Sequence, residues 1–463
     1  MYGKLLEIKQ RKELKAQRLM KPYKFLHDSA IIMGELHQNG ICADEEYFDS
    51  QDKILGEQID TLEKGLLSTS EAIKFKKETG KILDLASSKD LGILFYDVLK
   101  LPVKKTAKGN RSVDKNTLDR MDLPFVKNLL RMRKLDKAKG TYLSQYKREI
   151  INRKLNPFFT LGNVVSYRSG SNSPNFQNIP TRDDEVKGII RKGIKASPGN
   201  VLFFFDFAGA EVKTSCCTHQ DPNMVKYLTD KNSDMHLETG SDLFLLSLEE
   251  VTKDIRFYAK NQWVFAQFYG SYWKDCGENL WLECIERLNL PTKSGKPLRD
   301  HLKEHDIETK AQFLNHCKEV EEIFWGERFK VYAEWKKEIN SEYQRKGYIE
   351  TFFGFRFQGY MDRKQVSNYP IQSTSFHILL RCIQQIRKIA IKEKWKSKMV
   401  GQIHDELIFD AIPEEVPRIA EVVKDVVHNQ LREVFDWIIV PFEVEFSITP
   451  IGGSWYEKRD YVG

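Results

Sequence analysis

The chain has 463 residues, 41% hydrophobic and 30% charged, the composition expected of a folded, soluble protein and not of disordered or membrane classes. Its length exceeds what one compact core holds, so two or three subdomains on a shared scaffold are expected. A net charge of +7 fits a polyanionic partner, while no apolar run approaches the roughly 20 residues of a membrane span and no leader-like apolar region follows Met1.

Residues 1–25 read as a basic helix, KLLEIKQRKELKAQRLMKPYK being rich in Lys and Arg. From 26 to 150 apolar residues recur at helical spacing, as in SAIIMGELHQNG and LGILFYDVLKL. Within this stretch VKKTAKGNRSVDKNTLDRM reads as a Gly- and Lys-rich loop leading into a helix, with Ser112 or Asp114 as N-cap. Residues 127–154 are a second basic stretch. Either basic stretch alone is an ordinary solvated helix face; the two together, beside the motifs below, favour phosphate contacts. Residues 155–213 change character: a polar loop, SYRSGSNSPNFQNIP, precedes the strand VLFFFDF. Residues 214–345 are helical again and include a polar segment, NLPTKSGKPLRDHLKEHDIETK, that reads as an insertion. From 347 on, short strands and helices alternate, ending in PFEVEFSI, whose residues alternate inward and outward. Long helical blocks between sheet-forming segments predict an α+β fold with a central antiparallel sheet. Seven scattered cysteines without a CxxC pair predict reduced thiols in an intracellular protein, without a zinc site or disulfide framework.

The chemistry concentrates at two carboxylates. Asp206 ends the apolar strand VLFFFDF, and a carboxylate there is costly unless it is hydrated, paired or metal-bound. Asp405 lies in GQIHDELIFD, where His404-Asp405-Glu406 forms a tight polar turn between two apolar strands. Each Asp alone is most simply a turn cap. Two strands that each present an Asp can share a pair of divalent ions, and hard oxygen ligands suit Mg²⁺ with substrate phosphates completing its shell. Two such ions roughly 3.5–4 Å apart clamp the attacking and leaving oxygens of a phosphoryl transfer. A candidate triphosphate binder follows in DIRFYAKNQWVFAQFYG, residues 254–270. Arg256 and Lys260 are spaced i, i+4 and share a helix face. Tyr258, Trp263, Phe265, Phe268 and Tyr269 supply aromatic surface for a base. In isolation this is an amphipathic helix with a cationic rim; beside two Asp-bearing strands it suits a nucleotide.

DFAGAEVK, RFYAKNQWVFAQFYG and HDE resemble the first carboxylate motif, the fingers-helix motif and the second carboxylate motif of the family A DNA polymerases. That family contains bacterial DNA polymerase I and many phage replicative enzymes. SYRSGSNSPNFQNIP, DMHLETG, GYIETFFGFR and NYPIQST resemble further family blocks in the expected order, so the likeness runs from about residue 26 to 463. The resemblance implies a right-hand polymerase fold with an antiparallel palm sheet, a helical thumb and helical fingers. After the basic segment 1–25 it implies palm at 26–50, thumb at 51–155, palm at 156–215, fingers at 216–345 with an insertion near 277–317, and palm again at 346–463. It implies template-directed addition of dNTPs to a primer 3′-hydroxyl. Asp206 and Asp405, helped by the Phe207 carbonyl, would hold two Mg²⁺ ions, with Mn²⁺ able to substitute, and Glu406 would be a supporting acid. Glu211 would exclude a ribose 2′-hydroxyl. His236, Arg256 and Lys260 would bind the triphosphate, Phe265 would face the sugar, and Tyr269 would close over the templating position. Arg168, Asn175, Gln177, Asn368, Gln372 and His404 would contact primer–template DNA, although Gln177, Asn178 and Asn368 are equally read as hydrogen-bonding braces.

The departures from the family pattern point to a phage or plasmid type, acting in the cytoplasm of a bacterium or an infected host cell. Ala208-Gly209 stands where Ser-Gln is more usual, and Lys213 where Arg is usual, which keeps the charge and loses the fork. The fingers motif is one residue too long: counting back from Tyr269 puts Phe265 at the sugar-facing position, and counting forward from Lys260 puts Val264 there. At about 100° per residue an unbroken α-helix would turn Tyr269 away from Arg256, so the spacing predicts a π-bulge or kink between Lys260 and Phe265. With Phe265 in place, discrimination against dideoxynucleotides is expected. The segment 277–317 is read either as an insertion touching template or a partner or as a decorative surface loop. Only about 25 residues precede the resemblance, which leaves no room for a 3′–5′ or 5′-nuclease domain. Either the chain is a piece of a longer polypeptide, or editing is absent or resides on a separate exonuclease; a processivity factor is a further admissible partner. Competing readings are a single-subunit RNA polymerase, opposed by Glu211 and by HDE rather than HDS, and a non-catalytic DNA-binding protein, opposed by the presence of Asp206, Asp405, Arg256 and Lys260 together.

Overall fold

Val201–Phe207 forms β1, the middle strand of a five-stranded antiparallel sheet. Its first five residues are apolar and buried, the pattern of a strand covered on both faces. Successive residues point to opposite faces, and each face has an aromatic cover. Phe203 stacks on Phe446 with ring centroids 5.5 Å apart, and Phe204 packs on Trp455 at 5.7 Å. β2 (Lys398–Ile403) and β3 (Glu406–Ala411) are the hairpin read from GQIHDELIFD, and β4 (Val444–Ile448) and β5 (Arg459–Asp460) complete the order β2-β3-β1-β4-β5. Leu407 and Phe446 flank Phe205 in register, so Glu406 and Glu445 stand opposite Asp206. A slip of one residue would turn Asp206 into the other face, so the aromatic register fixes where the carboxylate emerges.

The computed structural model describes residues 2–105, 109–180, 183–230 and 232–462, without the side chains of Tyr2 and Asn116. Thr106, Ala107 and Lys108 of the expected Lys-rich loop lie outside the described residues, as do Thr181, Arg182, Lys231 and the end residues Met1 and Gly463 of the first and last segments. Asp114 caps the helix after that loop, accepting the Thr117 N–H at 2.8 Å. The basic N-terminal segment is two helices, α1 (Tyr2–Ala16) and α2 (Met20–Asn39), broken where Arg18 turns to φ +60°. Three larger groups of buried residues stand out among the described residues. One surrounds the sheet, one gathers Cys216 to Tyr332 with Val440, and one gathers Leu66 to Leu129. Phe48, Leu55, Leu135 and Tyr146 pack on the sheet cluster, so both ends of the 51–155 segment join that core.

Three elements depart from expectation. The polar stretch after 155 contains a strand, Ser169–Asn172, paired with Phe158–Leu161; its serines are buried and its ladder bonds outweigh weak strand propensity. Ile41–Ala43 lies in a run read as helix, yet it pairs with Lys154–Leu155 and Ile194–Lys195. The 277–317 segment is not a surface loop: Cys284, Leu298, Leu302, Phe313 and Cys317 are buried in the second cluster. Among the described residues no helix is long and apolar enough to cross a membrane. All seven cysteines are free, six of them buried.

Candidate active site

Asp206 leaves β1 just before a turn that starts helix α3 (Ala210–His219). Gly209 caps that helix at φ +66°, a left-handed conformation that suits glycine. Ala208 N–H donates to the Glu443 carbonyl at 3.0 Å, and Lys213 Nζ reaches the Glu443 carboxylate at 2.9 Å. Asp405 sits in the β2–β3 turn beside His404, whose φ is +52°. Gln177 braces this turn. Its Oε1 accepts the His404 N–H at 2.9 Å, and its amide donates to the Gln402 carbonyl at 3.2 Å and to Ser169 Oγ at 3.1 Å.

Asp206 stands in register with Glu406, so these turns bring Asp405, the residue before Glu406, beside Asp206. Burial, and then the Asp405 and Glu406 carboxylates, push the Asp206 carboxyl well above the usual carboxylate range, with Lys458 opposing. Asp206 Oδ1 is buried without a hydrogen-bond partner. A divalent cation would satisfy that oxygen and relieve the like-charge contact. Glu406 is taken by an ion pair with Lys458. No three His, Cys, Asp or Glu side chains among the described residues form a ready-made ligand group. The candidate oxygen donors at this spot are the Asp206 and Asp405 carboxylates, with the Phe207 carbonyl next along the chain. Such a sparse oxygen set suits a cation that completes its shell with phosphate and water.

The fingers motif folds as α-helix over Lys253–Tyr258, a π-helical turn over Ala259–Val264, and α-helix again over Phe265–Phe268. Phe265 N–H bonds the Lys260 carbonyl, five residues back, so the extra residue is absorbed in one wide turn. The expected bulge is present. Val264 is fully buried in the second cluster, whereas Phe265 is only partly buried against it. Lys260 Nζ lies 5.3 Å from the Phe265 ring, and the His236 ring lies 5.8 Å away, nearly perpendicular. His236 starts helix α4 (Met235–Phe244), whose cap Asp234 accepts the His236 and Leu237 N–H groups, each at 3.0 Å. Asp234 also accepts from Arg256 Nε at 2.7 Å. His236 Nδ1 is buried without a partner, and burial with the Lys260 and Arg256 charges pushes the ring down to about 4, so it is neutral at pH 7.

Glu211 joins the two halves of the site. Its carboxylate accepts from the Tyr269 hydroxyl and pairs with Arg168. Glu211, Tyr269, Arg168, Gln372, His404 and Asp405 line one cavity of about 290 Å³. His404 also lines a wider groove of about 770 Å³ with Asn175, Gln177 and Lys137, so cavity and groove meet at that residue. Asn175 Oδ1 is buried and unpartnered. Asn368 donates to the Tyr269 carbonyl at 3.3 Å and so braces the end of the fingers helix. Sequence reasoning missed Glu443, Glu445 and Lys458. The alternation of PFEVEF places the two glutamates on one face; nothing local in the sequence marks Lys458.

The DNA polymerase family A model matches residues 51–457. The chain belongs to DNA polymerase family A. Among similar family A proteins, DNA polymerase I of Bacillus caldotenax is 24% identical over 446 residues, covering 92% of this chain and 45% of that protein. DNA polymerase I of Aquifex aeolicus is 29% identical over 371 residues, covering 79% of this chain and 58% of that protein. The chain thus spans about half the length of the curated relatives it matches. The fold is similar to that of the POL domain of Pol1 from M. smegmatis, solved in complex with DNA primer-template and dNTP. That likeness has a TM-score of 0.73 at 19% identity and covers 96% of this chain and 73% of that one. It shows the α+β polymerase fold for this family A chain.

Proposed function

We propose that the chain copies a DNA template by adding dNTPs to a primer 3′-hydroxyl. The observation that carries this reading is the juxtaposition of Asp206, its Oδ1 buried and unpartnered, with Asp405, which lines a cavity whose other wall is the fingers helix. Two Mg²⁺ ions, or Mn²⁺, would supply charge neutralisation to the attacking oxygen and the leaving pyrophosphate. Asp206, Asp405 and the Phe207 carbonyl would hold them. Arg256, Lys260 and neutral His236 would bind the triphosphate, two as cations and one as a hydrogen-bond donor. Phe265 would pack on the sugar, which predicts discrimination against dideoxynucleotides. Glu211, fixed by Arg168 and Tyr269, would fill the space a ribose 2′-hydroxyl needs. Tyr269 must leave Glu211 for a base pair to enter, so dNTP selection and fingers closure would use the same contact. Primer and template would run from the cavity past His404 into the groove, along Asn175, Gln177, Asn368 and Gln372. In this reading the sheet cluster is the palm, the 216–345 region the fingers, and the Leu66–Leu129 cluster the body of the thumb. The setting would be the cytoplasm of a bacterium or an infected host cell, for a phage or plasmid enzyme working with separate accessory proteins.

The test is primer extension on primed DNA with Mg²⁺, comparing dNTPs with rNTPs beside Asp206→Ala and Asp405→Ala. Extension with dNTPs alone, abolished in both variants, supports the reading. Extension with rNTPs points to an RNA polymerase. No extension by a folded, DNA-binding wild type leaves a binding protein on this scaffold.

A further inference from the structure

Opposed side chains on neighbouring antiparallel strands share a face. Asp206 therefore stands between Glu406 on one side and Glu445 on the other, with Asp405 in the adjoining turn. Lys458 is the cation set into this row. Its Nζ pairs with Glu406 and lies 4.4 Å from the ring centroid of Phe204, on the same face of β1 as Asp206. The segment that carries it is anchored on both sides. Trp455 is buried against Phe204 with Arg191 4.7 Å from its ring, Ser454 and Glu457 close a capping box, and Arg459 pairs with Ile448 in the sheet. The Lys458 and Glu406 side chains are only 25% and 14% exposed, so this is a held contact rather than a loose surface pair.

We propose that Lys458 is a positioning residue for the cation centre: it holds Glu406 away from the metals, leaving Asp206 and Asp405 as the ligating carboxylates. Coordination positions thereby stay open for phosphate oxygens. Without Lys458 the Glu406 carboxylate becomes a third protein ligand, and cations bind more tightly and exchange more slowly. The inference rests on the reading of Asp206 and Asp405 as cation ligands, and the experiment separates the two.

Mn²⁺ binding to the full chain is titrated by the electron paramagnetic resonance signal of free Mn²⁺, without DNA or dNTP. Wild-type binding that is lost in D206N and D405N establishes the ligands. K458M then tightens Mn²⁺ binding, and K458R, which keeps the charge, does not. Loss of the Lys458 charge raises affinity through space whether or not Glu406 ligates, so the decisive comparison is K458M in wild type against K458M in E406Q. A gain larger by about tenfold when Glu406 is present supports ligation by the freed carboxylate. Equal gains in both backgrounds, or no gain in either, overturn the proposal. Wild-type Mn²⁺ binding indifferent to D206N and D405N overturns the functional reading as well. K458Q, also uncharged, replaces K458M if circular dichroism shows that the latter does not fold.

Discussion

At the scale of single residues, the juxtaposed aspartates Asp206 and Asp405 were legible because a charge at the end of an apolar strand demands a partner. Their supports were not. Gln177 read equally as a DNA contact or a brace, and its carboxamide is committed to the Asp405 turn through His404 and Gln402. Gln177→Ala is accordingly expected to lower kcat at least tenfold, because a turn bond to a site residue is lost, while primer–template affinity changes less than about threefold. Single-turnover extension and fluorescence anisotropy on the same variant check it; the opposite split would make Gln177 a DNA contact first. Lys458 and Glu443 were invisible because their partners, Glu406 and Lys213, lie 52 and 230 residues away in sequence. No periodicity reports a pairing of that kind.

At the scale of elements, apolar runs and residue counts carried the reading furthest. VLFFFDF and the HDE hairpin were legible as strands, and the surplus residue of the fingers motif was legible as a break in helical phase. The wide turn is not confined to the site, since Ile93–Val98 and Ala138–Leu143 have the same form. Its role at Ala259–Val264 is therefore testable only by changing the count. Deleting Asn261, an exposed residue whose amide bonds the Phe257 carbonyl, should restore ordinary helix while keeping Lys260 and Phe265 on one face. That variant is expected to retain more than about a tenth of wild-type extension. Inserting Ala after Asn261 adds a further rotation of about 100° and should abolish extension with the fold intact by circular dichroism. Equal loss in both variants would deny the turn its phasing role. The Ser169–Asn172 strand was misread, and the surface-loop alternative for 277–317 failed, because Ser, Gly, Asn and Lys favour turns locally, whereas long-range ladders and apolar burial decided their structure.

At the scale of the whole molecule, charge and buried histidines make predictions. Residues 1–24 carry eight Lys or Arg against two Glu, and α1 is exposed along nearly all of its length. Removing residues 2–16 should leave thermal stability within about 1 °C and reduce the slope of log Kd for DNA against log salt by roughly 1–3. An unchanged slope would make that arm a solvated helix only. His219 and His377 are buried and His236 is half-buried, and their lowered pKa values leave all three neutral at pH 7. Burial pushes His219 and His377 down to about 3, and burial with nearby cations pushes His236 to about 4. His219 Nδ1 accepts the Asp221 N–H at 3.0 Å, a bond that protonation would break. The unfolded chain takes up these protons near pH 6.5 and the fold does not. Their contribution is full above pH 6.5 and is lost as pH falls towards 4, about 2 kcal/mol for each histidine by pH 5. Asp206 acts with the opposite sign, its raised carboxyl accepting a proton first in the fold, so the urea midpoint is best followed from pH 8 to 5 in D206N. A flat profile would contradict buried neutral histidines. That the chain had to divide into several cores was legible from length alone, and the lines between them were not, since Leu55 and Tyr146 of the 51–155 segment belong to the sheet core.

The wide turn in the fingers helix also bears on ancestry. A helix that can loosen by one hydrogen bond tolerates the gain of a codon, because the faces before and after the change stay aligned. Distance between two functional letters in such a gene is then free to drift, provided the backbone absorbs the difference. A pattern search with fixed gaps counted from Lys260 would seat the fully buried Val264 where a count back from Tyr269 seats Phe265. Matching that scores where each residue faces would recover Phe265, and would keep lineages carrying the longer spacing among their relatives.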